Sequence, residues 1–464
     1  MERGTKILVC IIICLLIVAI VFFRYAFFKL YGSSMNGEFK DDLKEKTITP
    51  IEDINCANIE YTDEEESGVY SDYTARIDLN NMQSNGNGVN ISGTTIKISN
   101  AGIYYFSGTS EDANIMVEAD KDSDVVLVFD NCNITSKKTA VINGVKAKSI
   151  VVNLASGSEN TFTDSNNYVE FSDEDEPDGT VFSKTDLIIN GNGKLIINSN
   201  YKDGIVSKDG LKIVNTNIQV TSNDDGIRGK DYVGIKNSNI TVTANGDGIK
   251  STNTDADLGY IMIESGNINI KSGSDAIDAE TEIIINSGNI DVTKSYEGIE
   301  SSYIIINNGD ISIIASDDGI NTGGELVING GNISVKSDGD GLDSNGSISI
   351  TGGKIIVAGA VNGGNGALDY DNECIITGGT LIFYGAEGMW QNPSTNSTQY
   401  TIAFSAVGKS GDFIELKDSN GNVIESFTAE MNYGKVGISS SSLKQGETYY
   451  LYVNGISKGS RDVP

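Results

Sequence analysis

Asp203-Gly204-Ile205, Asp225-Gly226-Ile227, Asp247-Gly248-Ile249, Asp275-Ala276-Ile277, Glu297-Gly298-Ile299, Asp318-Gly319-Ile320 and Asp340-Gly341-Leu342 are seven versions of one phrase: an acid, a small residue, an aliphatic. The acids follow one another at steps of 22, 22, 28, 22, 21 and 22 residues, and the long step carries a polar insertion around Ser251 to Gly259. A period of this size marks stacked supersecondary units. Before each phrase stand two short runs of β-branched residues joined by a turn of Asn and Gly, such as Val233-Gly234-Ile235 with Ile240-Thr241-Val242. Alternation with period two, bounded by Gly, Asn, Asp and Ser, reads as short half-buried strands. About three such strands per coil of roughly 22 residues describe a parallel β-helix, an all-β solenoid. Coils then lie about 4.8 Å apart, so the acids form a column.

Outward from this core the grammar changes. Ile7 to Phe23 is an unbroken apolar run of 17 residues, with Arg3 and Lys6 before it and Arg24 after. It is long enough for a tilted span, and no small-x-small cleavage site follows it. Residues 1–31 are therefore expected to be an uncleaved membrane anchor with the N-terminus inside, the alternative being a removed signal peptide. The expected localisation is the cell membrane, single-pass, with the bulk of the chain extracellular. Residues 32–72 read as a polar linker, 73–396 as the β-helix with an N-terminal cap, and 397–464 as a small antiparallel C-terminal cap. Within the last, Phe413 to Leu416 and Val423 to Phe427 flank the turn Asp418-Ser419-Asn420-Gly421.

Composition narrows the chemistry. With no histidine among 464 residues, imidazole metal sites and His-dependent catalysis are excluded. A formal charge of −31 argues against nucleic acid as a partner and for divalent cations. Outside the apolar run only Cys56, Cys132 and Cys374 remain, too few and too far apart for a disulfide framework or a Cys-based zinc site. Cys132 and Cys374 read as small hydrophobes in strands.

The run Asp224-Asp225-Gly226-Ile227-Arg228-Gly229-Lys230-Asp231-Tyr232-Val233, the phrase Phe182-Ser183-Lys184-Thr185-Asp186-Leu187, and the ending Leu443-Lys444-Gln445-Gly446-Glu447-Thr448-Tyr449 resemble the clostridial cellulose- and pectin-binding β-helix family. Its members are called carbohydrate-binding domain-containing proteins, and the resemblance runs from about Tyr73 to the C-terminus. It implies a right-handed parallel β-helix, similar to family 9 polysaccharide lyases, that binds calcium, cellulose and acidic sugars on a secreted or surface-held protein. Those lyases pair an aspartate calcium cluster with a lysine base. Here the paired acids Asp224-Asp225 and Asp317-Asp318 are followed three residues after the second acid by Arg228 and Asn321 rather than by a further carboxylate, and no motif fixes a lysine as base.

The acid column itself calls for a counter-charge. Two carboxylates about 4.8 Å apart repel by roughly 3.5 kcal/mol at an effective dielectric of 20. A second acid three positions on, as in Asp275 with Asp278, Glu297 with Glu300 and Asp340 with Asp343, raises the density. Calcium, which takes six to eight oxygens, is the expected cofactor. The candidate ligands are Asp203, Asp224, Asp225, Asp247, Asp275, Asp278, Glu297, Glu300, Asp317, Asp318, Asp340 and Asp343. The plainer alternative is a row of Asp-Gly turns on a solvated face. At the same +3 position earlier coils hold Arg228 and Lys250, which serve either a uronate carboxylate or salt bridges between coils. Tyr232 and Tyr260 present rings for stacking on sugars, or for ordinary turn packing.

The function expected from these readings is a cell-surface, calcium-binding, non-catalytic binder of plant cell-wall polysaccharides: cellulose, pectin or other acidic sugars. One alternative is a calcium-dependent polysaccharide lyase with Lys202, Arg228, Lys230 or Lys250 as base. The other is a structural stalk or adhesin.

Overall fold

The computed structural model describes residues 58–171, 176–361 and 364–464. The membrane anchor expected at 1–31 and the linker up to residue 57 lie outside them. Among the described residues no helix is long and apolar enough to cross a membrane. The one described helix, Asp63–Ser67, is a single turn closed by a capping box between Thr62 and Glu65. Everything else regular is β-structure.

The chain winds into a β-solenoid of about 12 turns. Three parallel ladders run its length, each coil adding one short strand to each ladder. The first runs from Thr95–Ile98 through Ile227–Gly229 and Ile249–Ser251 to Leu368–Tyr370. The second passes through Gly210–Val214, Tyr232–Lys236 and Tyr260–Ile263. The third passes through Asn217–Ser222, Ser238–Ala244 and Gly266–Lys271. The parallel β-helix read from the period is thus the fold.

Register explains the acid-small-aliphatic phrase. Its aliphatic member always points inward, so Ile205, Ile227, Ile249, Ile277, Ile299, Ile320, Leu342 and Leu368 stack in one column at no more than 1% exposure. The second ladder answers with Leu211, Val233, Ile261, Ile283, Ile304, Leu326, Ile348 and Cys374. Each such side chain contributes about 1.5–3 kcal/mol on burial. The long step of the repeat is a loop between Ile249–Ser251 and Tyr260–Ile263, and Tyr260 still pairs with Tyr232 in register. Cys132 and Cys374 are both free and buried.

Both ends of the stack are closed by antiparallel pairing. At the start, Val89–Ser92 folds back on Thr95–Ile98 and Gln83–Gly86 on Ala75–Asp78. At the end, Thr380–Gly385 pairs antiparallel with Tyr433–Ser440, which pairs with Thr401–Gly408. A separate four-stranded sheet, ordered Val423–Thr428, Phe413–Lys417, Thr448–Val453, Ile456–Asp462, completes this cap over a second apolar core. Such closures remove the exposed backbone that would otherwise recruit another chain.

One expectation is revised. The polar stretch read as a linker to residue 72 is, from 58 onward, a strap laid along the outside of the second ladder. Ile59 is buried against Tyr260, Met262 and Ile284. Glu65 meets Lys212 at 3.0 Å and Glu66 meets Lys236 at 2.6 Å, while Asn153, Asn190 and Asn215 donate to strap carbonyls.

The small residue of the phrase is a steric requirement. The N–H groups of Gly204, Gly226 and Gly248 donate to the carbonyls of Asp225, Asp247 and Asp275 on the next coil. A Cβ on Gly226 would lie 2.4 Å from Val242 Cγ1 and 2.5 Å from the Gly248 carbonyl oxygen. Ala276 fills the corresponding place in the fourth phrase, its N–H donating to the Glu297 carbonyl. Gly226→Ala is expected to destabilise the solenoid by about 1–3 kcal/mol, read as a lowered urea midpoint.

Candidate metal centre

Two columns of side chains meet at the entrance to the first ladder. The first is the acid of each phrase. The second is the residue after the inward aliphatic, which alternation turns away from the core: Val206, buried with Tyr168 and Phe182, and then Arg228, Lys250, Asp278, Glu300, Asn321, Asp343 and Asp369 stand in register.

The acids have a structural duty first. Oδ1 of Asp203 accepts the N–H of Asp225, Asp225 that of Asp247, Asp247 that of Asp275, and Asp275 that of Glu297, at 2.9–3.1 Å. Asp318 does the same for Asp340 at 2.6 Å. One carboxylate oxygen per coil thus satisfies a main-chain donor, which accounts for aspartate in the phrase, and the other is left for charge. Glu297 is one methylene longer, and its carboxylate takes the Asn321 amide at 2.9 Å instead.

The strip divides into two electrostatic halves. In the earlier coils the protein supplies its own cations. Arg228 bridges Asp178, at 2.7 Å, and Asp203, and Lys250 bridges Asp278, at 2.8 Å, and Asp247. Beyond Lys250, among the described residues, no lysine or arginine pairs with Asp275, Glu297, Glu300, Asp318, Asp340 or Asp343. The carboxylates gather in three groups whose oxygens lie within 4.8 Å of one another: Asp247, Asp275 and Asp278, two of which Lys250 already holds; Asp275, Glu297 and Glu300; and Asp318, Asp340 and Asp343.

Such crowding resists ionisation. Burial, with the charges of Asp275, Asp278 and Asp247 behind it, pushes Glu300 up to about 7. Burial also lifts Glu297 to about 7, against the Asn321 hydrogen bond and with help from Glu300 and Asp275. Asp343 rises to about 7 through burial and then Asp318, Asp340 and Asp369, and Asp340 to about 6. A hard divalent cation suits the groups Asp275, Glu297, Glu300 and Asp318, Asp340, Asp343, which are all oxygen, multiply anionic and without an ion pair to lysine or arginine among the described residues.

The expected ligands are therefore distributed unevenly. Asp247, Asp275, Asp278, Glu297, Glu300, Asp318, Asp340 and Asp343 come together, whereas Asp203 and Asp225 belong to the Arg228 end. Asp224 is exposed on its turn, and Asp317 stands outside all three groups. Arg228 and Lys250 sit in ion pairs between coils, with their charge already matched. Tyr232 and Tyr260 lie on a different ladder from the acids. Their rings stack at 5.6 Å but are covered by Ile59 and Tyr61 of the strap, so they pack the strap and present no open platform. Asp178 and Asp369 join the strip without having the repeated phrase. Asp178 comes from the segment before Gly179–Ser183, and Asp369 from a coil displaced by an insertion, where Gln391 donates to it at 2.7 Å.

The raised acids make a pH prediction for the metal-free protein. A carboxyl whose folded pKa lies above its unfolded value binds more protons folded than unfolded, so its contribution to stability is present at low pH and lost as pH rises through about 4 to 7. Thermal midpoints in chelator should fall from pH 5 to pH 8, and the fall should be shallower in Glu300→Gln and Asp343→Asn.

Comparison with known proteins finds relatives of this chain. The family described as carbohydrate-binding domain-containing protein matches residues 92–302 and 294–446. A protein of that description from Acetivibrio thermocellus is 44% identical over 220 residues, 46% of this chain and 77% of its own length. A gadolinium derivative of a polysaccharide lyase-like protein from C. thermocellum is 34% identical, with a TM-score of 0.45, over 51% of this chain and 93% of its own. The chain belongs to the carbohydrate-binding domain-containing protein family.

Proposed function

We propose that this protein is a non-catalytic, calcium-loaded polysaccharide binder held at the cell surface by its N-terminal anchor, with its coils wound in the right-handed sense. The observation that carries the reading is the change of partner along one strip. Arg228 and Lys250 form ion pairs with the acids of the early coils, and among the described residues no lysine or arginine forms one with Glu300 or Asp343. Calcium there would hold the carboxylates together and keep coordination positions for the carboxylate of an acidic sugar. The polysaccharide partner follows from family membership, and within that class cellulose and pectin are the glycans we propose.

Catalysis is disfavoured at two of the four candidate bases, Arg228 and Lys250, by the ion pairs they already make. Arg228 and Lys250 are both pushed above their ordinary values by their aspartate partners, against the opposing effect of burial. Neither guanidinium nor ammonium gives up a proton easily in that setting, as a lyase base must.

Calorimetry with calcium on metal-free protein tests the proposal. Uptake should weaken about tenfold or more when Asp275 and Glu300, or Asp340 and Asp343, are changed to the amides, since each pair removes two charged ligands. Polygalacturonate should be retained only with calcium present, and no unsaturated product should appear in the ultraviolet. Release of such product at a sustained rate would establish the lyase instead, and absence of calcium uptake at millimolar levels would leave a stalk with a solvated acidic face.

A further inference from the structure

The four-stranded sheet of the C-terminal cap has a face that neither the core nor the acid strip uses. Its inner side buries Ile414, Leu416, Phe427, Tyr449, Leu451 and Val453. Alternation turns Phe413, Glu415 and Lys417 of one strand outward, together with Thr448, Tyr450 and Tyr452 of its neighbour. Phe413 is 45% exposed. Tyr450 and Tyr452, half-buried, are two residues apart on one strand, about 6.8 Å. The rows around them end in small hydroxyls: Glu415 faces Ser426 on one side and Tyr452 on the other, Tyr452 faces Ser457, and Tyr450 faces Ser460. Lys417 lies 4.9 Å from the centre of the Tyr452 ring and 3.1 Å from Glu415, so its ammonium braces the ring while its charge is matched.

We infer that this face is a second glycan subsite, independent of calcium, that takes the pyranose rings of an uncharged polysaccharide on Tyr450, Tyr452 and Phe413. The inference deepens the carbohydrate-binding reading and rests on it. Aromatic rings offer the C–H faces of a sugar a flat apolar partner, and hydroxyl-bearing neighbours reach its equatorial oxygens. Charge selects the occupant. Lys417 is neutralised by Glu415, and a chain of charge −31 repels polyanions in the absence of metal. An uncharged glycan meets neither obstacle. The family match ends at residue 446, before Thr448–Val453 and Ile456–Asp462, so these tyrosines belong to a part of the chain that the shared pattern does not describe.

Native affinity electrophoresis of the protein in hydroxyethyl cellulose, with chelator present, reads this site alone, and polygalacturonate with calcium reads the acid strip. Retardation by hydroxyethyl cellulose is expected without calcium. In the doubly substituted Tyr450→Ala, Tyr452→Ala protein its affinity should fall about tenfold or more, while Tyr450→Phe, Tyr452→Phe keeps most of it and calcium-dependent polygalacturonate binding is unchanged in both. Equal retardation of the alanine variant and the parent, or no retardation of the parent, overturns the subsite. Self-association of the parent that the alanine substitutions abolish, without glycan retardation, reassigns the face to protein contact and also overturns it. If the parent retains neither glycan, it is the carbohydrate-binding function itself that fails.

Discussion

Strand stacking at about 4.8 Å forces each side chain of this protein to lie over its counterpart one coil on. For aliphatic residues the constraint is favourable, and the columns headed by Ile205 and Leu211 form a continuous dry interior. Amides tolerate it by handing one hydrogen bond along, as Asn217, Asn239 and Asn267 do at 2.7 Å. For carboxylates it is unfavourable at every step, and the way each coil relieves the repulsion decides what the surface does. A main-chain N–H takes one oxygen, Arg228 and Lys250 take the other for the first coils, and the remainder lean on solvent, protons or metal.

Carbohydrate recognition fits this arithmetic. A solenoid lengthens by whole coils, so a linear polymer and the protein present repeating groups to each other along one axis. The acid strip and the aromatic face of the cap are chemically unlike: the first is a row of crowded carboxylates, the second a row of rings flanked by hydroxyls.

Much of this was legible before the coordinates. A strand that is inward at one residue and outward at the next leaves its mark locally, so the phrase around Asp247 reveals both the core position of Ile249 and the outward position of Lys250. The grouping of Asp275 with Asp278, Glu297 with Glu300 and Asp340 with Asp343 followed from spacing alone. What spacing does not encode is contact made outside the repeat. Glu65 reaches Lys212 across 147 residues, and nothing in the polar stretch before Tyr73 distinguishes a strap from a linker. The same strap covers Tyr232 and Tyr260, which as isolated residues read equally well as sugar platforms or as packing. Asp178 was invisible for a related reason: its partner Arg228 is two coils away, and its own segment lacks the phrase.

The strap also changes how the molecule should come apart. An array in which each coil touches only its neighbours frays from an end, coil by coil. Here a single stretch of chain crosses six successive second-ladder strands, from Asn153 through Asn190, Lys212, Lys236 and Met262 to Ile284. None of those coils can open without releasing contacts that the others share. The middle of the solenoid is thereby bound into one cooperative block, and fraying is confined to the coils beyond it.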